Sequence, residues 1–357
     1  LLVKNPKSNN KKAKISYKNI GDFLNKNEKN KIIKEVKSFG NKNIMFDQLT
    51  PNEFGDWLYL RNDSFEFFTQ LVPSKRLNTK SESFFLINSL GIGTSRDSWV
   101  YNFSSKTLSA NLNSAIKFYN EQRINYFIKK ALNPTNSLEE IIELSPSKIS
   151  WSRSLKKNLK KNTNIIFNED CFVISLYRPF TKQKLYFNRN LNEYWFQIPK
   201  MFPNNNLGNI TICITSDLRK EFSLLITNLI PDTHMNGDTV CFPLYYYEEN
   251  NTAQKGLFDD ANENEYIRRD AISDYILDKA KKQYGVSKNS TNISKEDIFY
   301  YVYGFLHSPE YREMFANDLK KMLPRLPLVD DVRDFWAFSK AGRKLADLHL
   351  NYERVAP

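Results

Sequence analysis

The residues best suited to chemistry lie between Asp170 and Phe187, where two strand-like runs meet at the corner Tyr177-Arg178-Pro179-Phe180. Cys171, Val173 and Ser175 alternate with Phe172, Ile174 and Leu176, the period-two pattern of a buried or half-buried strand. Pro179 has a fixed φ and no N–H, so it cannot lie in a central ladder and the chain must turn. Leu185-Tyr-Phe187 then resumes extended structure. The corner holds the Arg178 cation and the Tyr177 ring rigidly, with Lys182 and Lys184 close behind. This arrangement suits a phosphate or a base contact. It equally allows Arg178 to cap the strand end and pair with a local carboxylate.

Three other stretches carry groups of the same kind. In Ser89-Leu-Gly-Ile-Gly-Thr-Ser-Arg-Asp97, Gly91 and Gly93 permit positive φ, so a tight turn can present Thr94, Ser95, Arg96 and Asp97 together. Arg96 could pair bidentately with a guanine edge while Asp97 accepts from cytosine or orients Arg96. The spacing is not that of a phosphate-binding P-loop, and a plain hairpin is the other reading. Lys148 to Lys161 is the densest basic run: Trp151, Leu155 and Leu159 fall on one helical face, and Arg153, Lys156, Lys157, Lys160 and Lys161 spread over the rest. Such a helix could track a phosphate backbone or simply be a solvated face. Pro231 to Asp238, which includes Asn236, is a polar loop between strands, a place where recognition residues gather.

Other chemistry is not legible. His234, His307 and His349 stand in unrelated sequence contexts, so no metal site or Ser/His/Asp arrangement assembles from spacing, and structural histidines are expected. Asp22 with Glu35-Val-Lys37 superficially matches a nuclease pattern, but it falls on one amphipathic helix of a charge-rich chain. No [DNS]-P-P-[YF] tetrapeptide, the clamp for a flipped adenine or cytosine, is present.

The 357 residues suffice for two or three compact units, and 41% hydrophobic with 26% charged residues is ordinary for a globular protein. Lys plus Arg number 52 against 40 for Asp plus Glu, a net charge of +12 that implies an acidic partner, foremost nucleic acid. Lys and Asn are abundant throughout, so part of this excess is compositional. Cys171, Cys213 and Cys241 are far apart, without metal-ligand spacing, and read as three reduced core thiols of an intracellular protein. No apolar run approaches the roughly 20 residues that span a bilayer.

The elements that must position these residues follow in order. Leu1 to Val3 and Ala13 to Tyr17 read as short strands joined by the turn Pro6 to Lys12, and the start looks like a strand cut mid-domain. Asp22 to Val36 reads as a helix with Phe23, Leu24, Ile32, Ile33 and Val36 inward. Phe54, Trp57, Tyr59, Phe65, Phe67 and Phe68 are expected to form a core cluster. Trp99 to Phe103 reads as a strand, and Ala110 to Lys130 as a helix with Leu112, Ile116, Tyr119, Ile124, Phe127 and Ile128 at helical spacing. Ile210 to Thr215 is a strand, Arg219 to Ile226 a short helix, Thr239 to Tyr245 a strand and Glu248 to Glu265 a mobile linker. From Tyr266 the pattern is helical. Ser294 and Asp297 form a capping box, Ser308-Pro309 opens a helix with Met314, Phe315, Leu319 and Met322 inward, and Ala341 to Leu350 closes the chain.

Taken together, Gly91 to Asp97 with Tyr119-Asn120, Ser175-Leu-Tyr-Arg-Pro-Phe180 with Leu185-Tyr-Phe187, Phe242-Pro-Leu-Tyr245, Glu296 to Tyr303, Leu306 to Arg312, Leu323-Pro-Arg-Leu-Pro327 and Leu348-His-Leu-Asn-Tyr-Glu353 resemble the C-terminal specificity region of single-chain type ISP restriction–modification enzymes and their type IIG relatives. Leu1 to Pro6 and Ala13 to Phe23 look like the closing strands of a preceding adenine-N6 DNA methyltransferase domain.

The resemblance implies a mixed α/β (α+β) DNA target recognition domain over residues 46–255, after a methyltransferase remnant at 1–45 and before a helical C-terminal unit at 256–357. It implies duplex DNA and upstream methyltransferase or nuclease domains of the parent chain as partners, and a cytoplasmic monomer with no membrane association. No catalytic centre or cofactor is expected in this fragment; S-adenosylmethionine is implied for the upstream domain. The expected DNA contacts are Thr94, Ser95, Arg96, Asp97, Trp151, Arg153, Lys156, Lys157, Lys160, Tyr177, Arg178, Lys182 and Asn236. The rival readings are a non-catalytic RNA-binding or scaffold protein and a DNA-modifying enzyme active in itself.

Overall fold

The computed structural model describes residues 13–21, 24–38, 40–41, 44–52, 55–58, 61–73, 82–204, 206–216, 220–250, 265–285 and 293–354. The expected strand Leu1 to Val3, the turn Pro6 to Lys12, the residues Asp22, Phe23, Phe54, Tyr59 and Arg219, and most of the expected linker lie outside them. The chain divides into two compact units, Leu1–Arg61 and Asn62–Pro357. In the first, the strand Ile15–Tyr17 pairs antiparallel with Asp47–Leu49, and the helix Lys26–Val36 starts at a capping box between Asn25 and Glu28. That helix buries no residue, and Ile33, expected inward, is exposed.

The larger unit contains two hydrophobic cores separated by a sheet that both cores use. Its strands run in the order Ser89–Leu90, Thr239–Pro243, Thr211–Thr215 and Leu224–Thr227, all antiparallel. Ile212, Ile214, Val240 and Phe242 face one core, while Cys213, Leu225 and Cys241 face the other. A sheet covered on both faces is written as near-continuous apolar strands, as Thr211-Ile-Cys-Ile-Thr215 is. Cys213 and Cys241 are cross-strand partners with sulfurs 3.8 Å apart, both free and buried. Cys171, expected in the core with them, is only half-buried.

The first core is helical. Ser294 caps Lys295–Leu306 with Asp297 in the expected reciprocal bond, and every residue from Ile298 to Leu306 is buried. This helix crosses Val332–Leu350 where Gly304 meets Gly342, and a Cβ on Gly342 would run into the Tyr300 carbonyl oxygen. The second core holds the sheet Ile230–Pro231, Phe172–Arg178, Thr181–Tyr186 and Tyr101–Asn102 against the long helix Ser105–Leu132 and the short helix Arg153–Lys160. No described helix is long and apolar enough to cross a membrane.

Several expected elements differ. Leu224–Thr227 is a strand rather than part of a helix, because three apolar residues in a row, Leu224 to Ile226, fit a doubly buried strand as well as a helical turn. Trp99 and Val100 belong to the helical turn Asp97–Val100, with only Tyr101–Asn102 extended. Tyr266–Asp270 is a strand paired with Tyr245–Glu249. The last helix begins at Val332, not Ala341, and the helix after Ser308 breaks into Pro309–Met314 and Ala316–Leu319 with Met314 exposed. Of the expected aromatic cluster Phe65 is buried and Phe68 packs beside it, but Phe67 and Trp57 are exposed. Ile124, Phe127 and Ile128, at helical spacing, are exposed on the second half of the Ser105–Leu132 helix.

Two of the histidines, His307 and His349, meet in space although their sequence contexts are unrelated. The Tyr303 hydroxyl lies 2.5 Å from His349 Nδ1, and the His307 ring sits edge-on 4.9 Å from Tyr303 and 6.0 Å from His349. Burial, with the neighbouring His349 and Arg312, pushes His307 down to about 4. A histidine whose folded value lies below its unfolded one stabilises the fold in its neutral form. Its contribution is whole above the ordinary histidine range near 6.5 and is lost as the pH falls toward 4.

Two outcomes follow for stability. His307→Gln should flatten the loss of denaturant stability between pH 6.5 and 4, and an unchanged slope would place His307 outside this linkage. Gly342→Ala should destabilise by about 1–3 kcal/mol or more through overpacking, read as a lowered denaturant midpoint; a neutral effect would mean that the helices separate freely.

Candidate nucleic-acid interface

The corner forms as a hairpin: Phe172–Arg178 and Thr181–Tyr186 pair antiparallel, with a register shift between Leu176 and Arg178 and Phe180 at φ 55. Positive φ on a bulky residue is strained, so the surrounding contacts must hold the turn. They come from the end of the chain. The Phe180 ring meets His349 at 5.6 Å and Tyr352 at 5.0 Å, both edge-on, and Lys182 Nζ donates to Glu353 Oε2 at 2.7 Å.

Ile230–Pro231 pairs parallel with Ser175 and Leu176, which brings the loop that follows beside the corner. Arg178 Nη1 donates to Asp232 Oδ1 at 2.9 Å, and its guanidinium lies 3.9 Å from the centre of the Tyr177 ring. Arg178 thus takes up the local carboxylate while remaining 37% exposed at its side chain. Burial pushes Asp232 up to about 6, against the pull of the His234 N–H and of Arg178.

The loop at 91–97 docks on the same place. Ile92 N–H donates to Pro231 O and Thr233 N–H to Ile92 O, each at 2.9 Å. Gly91 is needed for close approach rather than for positive φ, since a Cβ there would collide with the Asp232 backbone. It is Ser95, exposed at the tip, that has φ 56. Thr94 is buried and donates to Asp97 Oδ1, and the Tyr177 hydroxyl donates to Asp97 Oδ2 at 3.1 Å.

Arg96 does not do what the sequence suggested. It is 2% exposed, and its guanidinium donates to Ser150 O at 3.2 Å, Thr94 O at 3.2 Å, Leu191 O at 2.5 Å and the Ser152 hydroxyl. Glu193 lies 3.8 Å away and accepts from the Ser152 and Ser154 hydroxyls and from Ser154 N–H. Burial lowers Arg96 to about 10, with Glu193 opposing the shift. Burial alone would raise Glu193, but its serine hydrogen bonds and Arg96 leave it below the usual carboxylate range. Four of its five N–H donors are spent inside the protein, and at this burial the group is out of reach of a guanine edge.

The Arg153–Lys160 helix begins at that network, with Ser152 as N-cap. Leu155 and Leu159 are buried, and Arg153, Lys157, Lys160 and Lys161 are exposed at spacings that place them on one face. Lys156 instead pairs with Glu139 at 3.1 Å. Trp151 precedes the helix rather than lying on its face; its ring packs 5.9 Å from Tyr119 and its Nε1 donates to Glu143 O. The Asn236 side chain braces its own loop, accepting from the Thr239 hydroxyl at 2.9 Å and donating to Ser223 O.

Thr94, Ser95, Asp97, Tyr177, Arg178 and the 231–238 loop are thus brought together, whereas Arg96 is buried in supporting structure and Trp151 is half-buried beside Tyr119. Sequence reasoning missed Asp232 and Glu193, and also Tyr194 and Phe196, whose exposed rings stack at 5.6 Å and 19°. Phe196 has φ 45, and Tyr194 bridges Gly93 through two backbone hydrogen bonds. The available signal was Tyr194-Trp-Phe196, three rings in a row inside a polar stretch.

Removing one partner of a buried, hydrogen-bonded ion pair leaves the other uncompensated, so Arg96→Ala should destabilise the chain by about 3–5 kcal/mol in denaturant unfolding. A fully stable variant would contradict the structural role.

Residues 83–357 match the family described as the Type ISP C-terminal specificity domain. Among solved structures, the ATP-dependent Type ISP restriction-modification enzyme LlaBIII bound to DNA is 32% identical with a TM-score of 0.77, over 96% of this chain and 20% of that one. A nuclease-deletion mutant of the Type ISP enzyme LlaGI in complex with a DNA substrate mimic is 31% identical with a TM-score of 0.75, over 98% of this chain and 24% of that one. The DrdV–DNA complex is 29% identical with a TM-score of 0.78, over 96% of this chain and 31% of that one. The chain therefore spans less than a third of the length of each. A comparison with curated proteins found no match. With the family's signature extending over most of its length, this chain belongs to the Type ISP C-terminal specificity domains.

Proposed function

We propose that this chain recognises a short sequence in duplex DNA, acting as the target recognition part of a larger restriction–modification polypeptide. The observation that carries the reading is family membership together with a fold shared, at 32% identity, with an enzyme held on DNA. The arrangement of the larger unit supports it. A row of exposed cations on the Arg153–Lys160 helix suits phosphates, and loops braced by buried polar networks suit base edges.

Methyl transfer and cleavage belong, in this reading, to methyltransferase and nuclease domains upstream, with S-adenosylmethionine bound there. The fragment works as a monomer and in the cytoplasm. The net charge of +12 supports attraction to a polyanion without distinguishing DNA from RNA.

Salt titration of binding tests the reading. The chain should bind duplex DNA in preference to duplex RNA. Replacing Arg153, Lys157, Lys160 and Lys161 together by Gln should lower the log–log salt slope by about 0.9 for each phosphate that the helix no longer neutralises. Affinity should fall alike on unrelated sequences. Equal affinity for duplex RNA would favour the RNA-binding alternative, and an unchanged slope would assign the helix to a solvated face.

A further inference from the structure

A cavity of about 340 Å³ opens among the braced loops, with Thr94, Asp97, Asp232, Thr233, His234 and Tyr194 in its wall. Among the described residues its lining contains two carboxylates and no Lys or Arg, in a chain whose 52 cations outnumber 40 anions. The cation beside it, Arg178, is engaged by Asp232. A phosphate would meet repulsion here, so the cavity is built for something other than backbone contact.

Two independent features define what it accepts. The carboxylates are hydrogen-bond acceptors: each Asp97 oxygen receives one bond, from Thr94 or from Tyr177, and a carboxylate offers roughly four acceptor sites. The second feature is a ring wall. Tyr194 is 54% exposed and stacks on Phe196, so the cavity has an exposed aromatic flank beside its carboxylates. An occupant with an N–H donor edge and an apolar flank satisfies both.

We propose that this cavity takes the amino edge of a cytosine or adenine, with Asp97 as the acceptor and Tyr194 as the ring wall, and that Asp97 sets the base preference at one position of the DNA site. The inference rests on the DNA-recognition reading above. Cytosine N4 and adenine N6 donate in the major groove, whereas guanine O6 and thymine O4 are acceptors. Opposite Asp97 an acceptor would leave two lone-pair groups facing each other with no proton between them, so guanine and thymine are rejected.

The test is selection of bound duplexes from a randomised library by the whole 357-residue chain and by Asp97→Ala. The unaltered chain should enrich a site with at least one position restricted to adenine or cytosine, and Asp97→Ala should lose preference at that position alone. Replacing that adenine by purine, or that cytosine by 2-pyrimidinone, should weaken binding of the unaltered chain on the order of ten- to a hundred-fold. It should leave the variant's affinity unchanged. This base-deletion arm decides the matter even if Asp97→Ala fails to fold. Undiminished preference in a folded Asp97→Ala, or full affinity for amine-deleted duplexes at every position, would overturn the proposal. Binding of duplex DNA without any enriched sequence would overturn it and leave DNA binding standing, whereas no binding of duplex DNA would remove the reading beneath it.

Discussion

The arrangement of the larger unit's loops depends on one buried cation. Arg96 joins the carbonyls of Thr94, Ser150 and Leu191 and, through Ser152, the Glu193 carboxylate, so segments far apart in sequence converge on a single guanidinium. Taking this pair out of water is costly, and such pairs contribute little net stability compared with a well-packed apolar core. What the pair supplies is a defined geometry. The next residue, Asp97, is thereby set where Tyr177 reaches it, and Tyr177 in turn stacks under the Arg178 that binds Asp232. Adjacent residues of one loop thus divide the work, Arg96 inward as support and Asp97 outward on the cavity wall.

Behind the loops stands a sheet covered on both faces. Its inner strands alternate between two cores, which makes the loops extensions of a rigid plate. The corner at Arg178 is gripped a second time by the end of the chain, where His349, Tyr352 and Glu353 hold Phe180 and Lys182. Two sequence signatures lying some 170 residues apart are therefore two sides of one contact. That contact accounts for a Phe at positive φ persisting at the turn.

Much of this was legible from local rules. The strand and corner of Asp170 to Phe187, the capping box of Ser294 and Asp297, the long helix through Tyr119 and the apolar face of Leu155 and Leu159 all rest on periodicity, proline and capping, which act within a few residues. What was not legible depends on partners distant in sequence. Nothing near Arg96 indicates Glu193, so a buried support read as a candidate base contact. Nothing near Arg178 indicates Asp232, so contact and local pairing stood level until the parallel pairing of Ile230–Pro231 brought the carboxylate in. Leu224–Thr227 and Tyr266–Asp270 failed for a simpler reason, since runs this short carry no decisive period.

The proposed function requires the braced loops and the cationic helix to form one DNA-facing surface. Amide hydrogen exchange of the whole chain, with and without duplex DNA at low salt, tests it most directly. Slowed exchange on DNA addition is expected at residues 93–97, 153–161, 177–182, 194–196 and 233–238. Protection confined to other segments, or none at any DNA concentration that saturates binding, would contradict it.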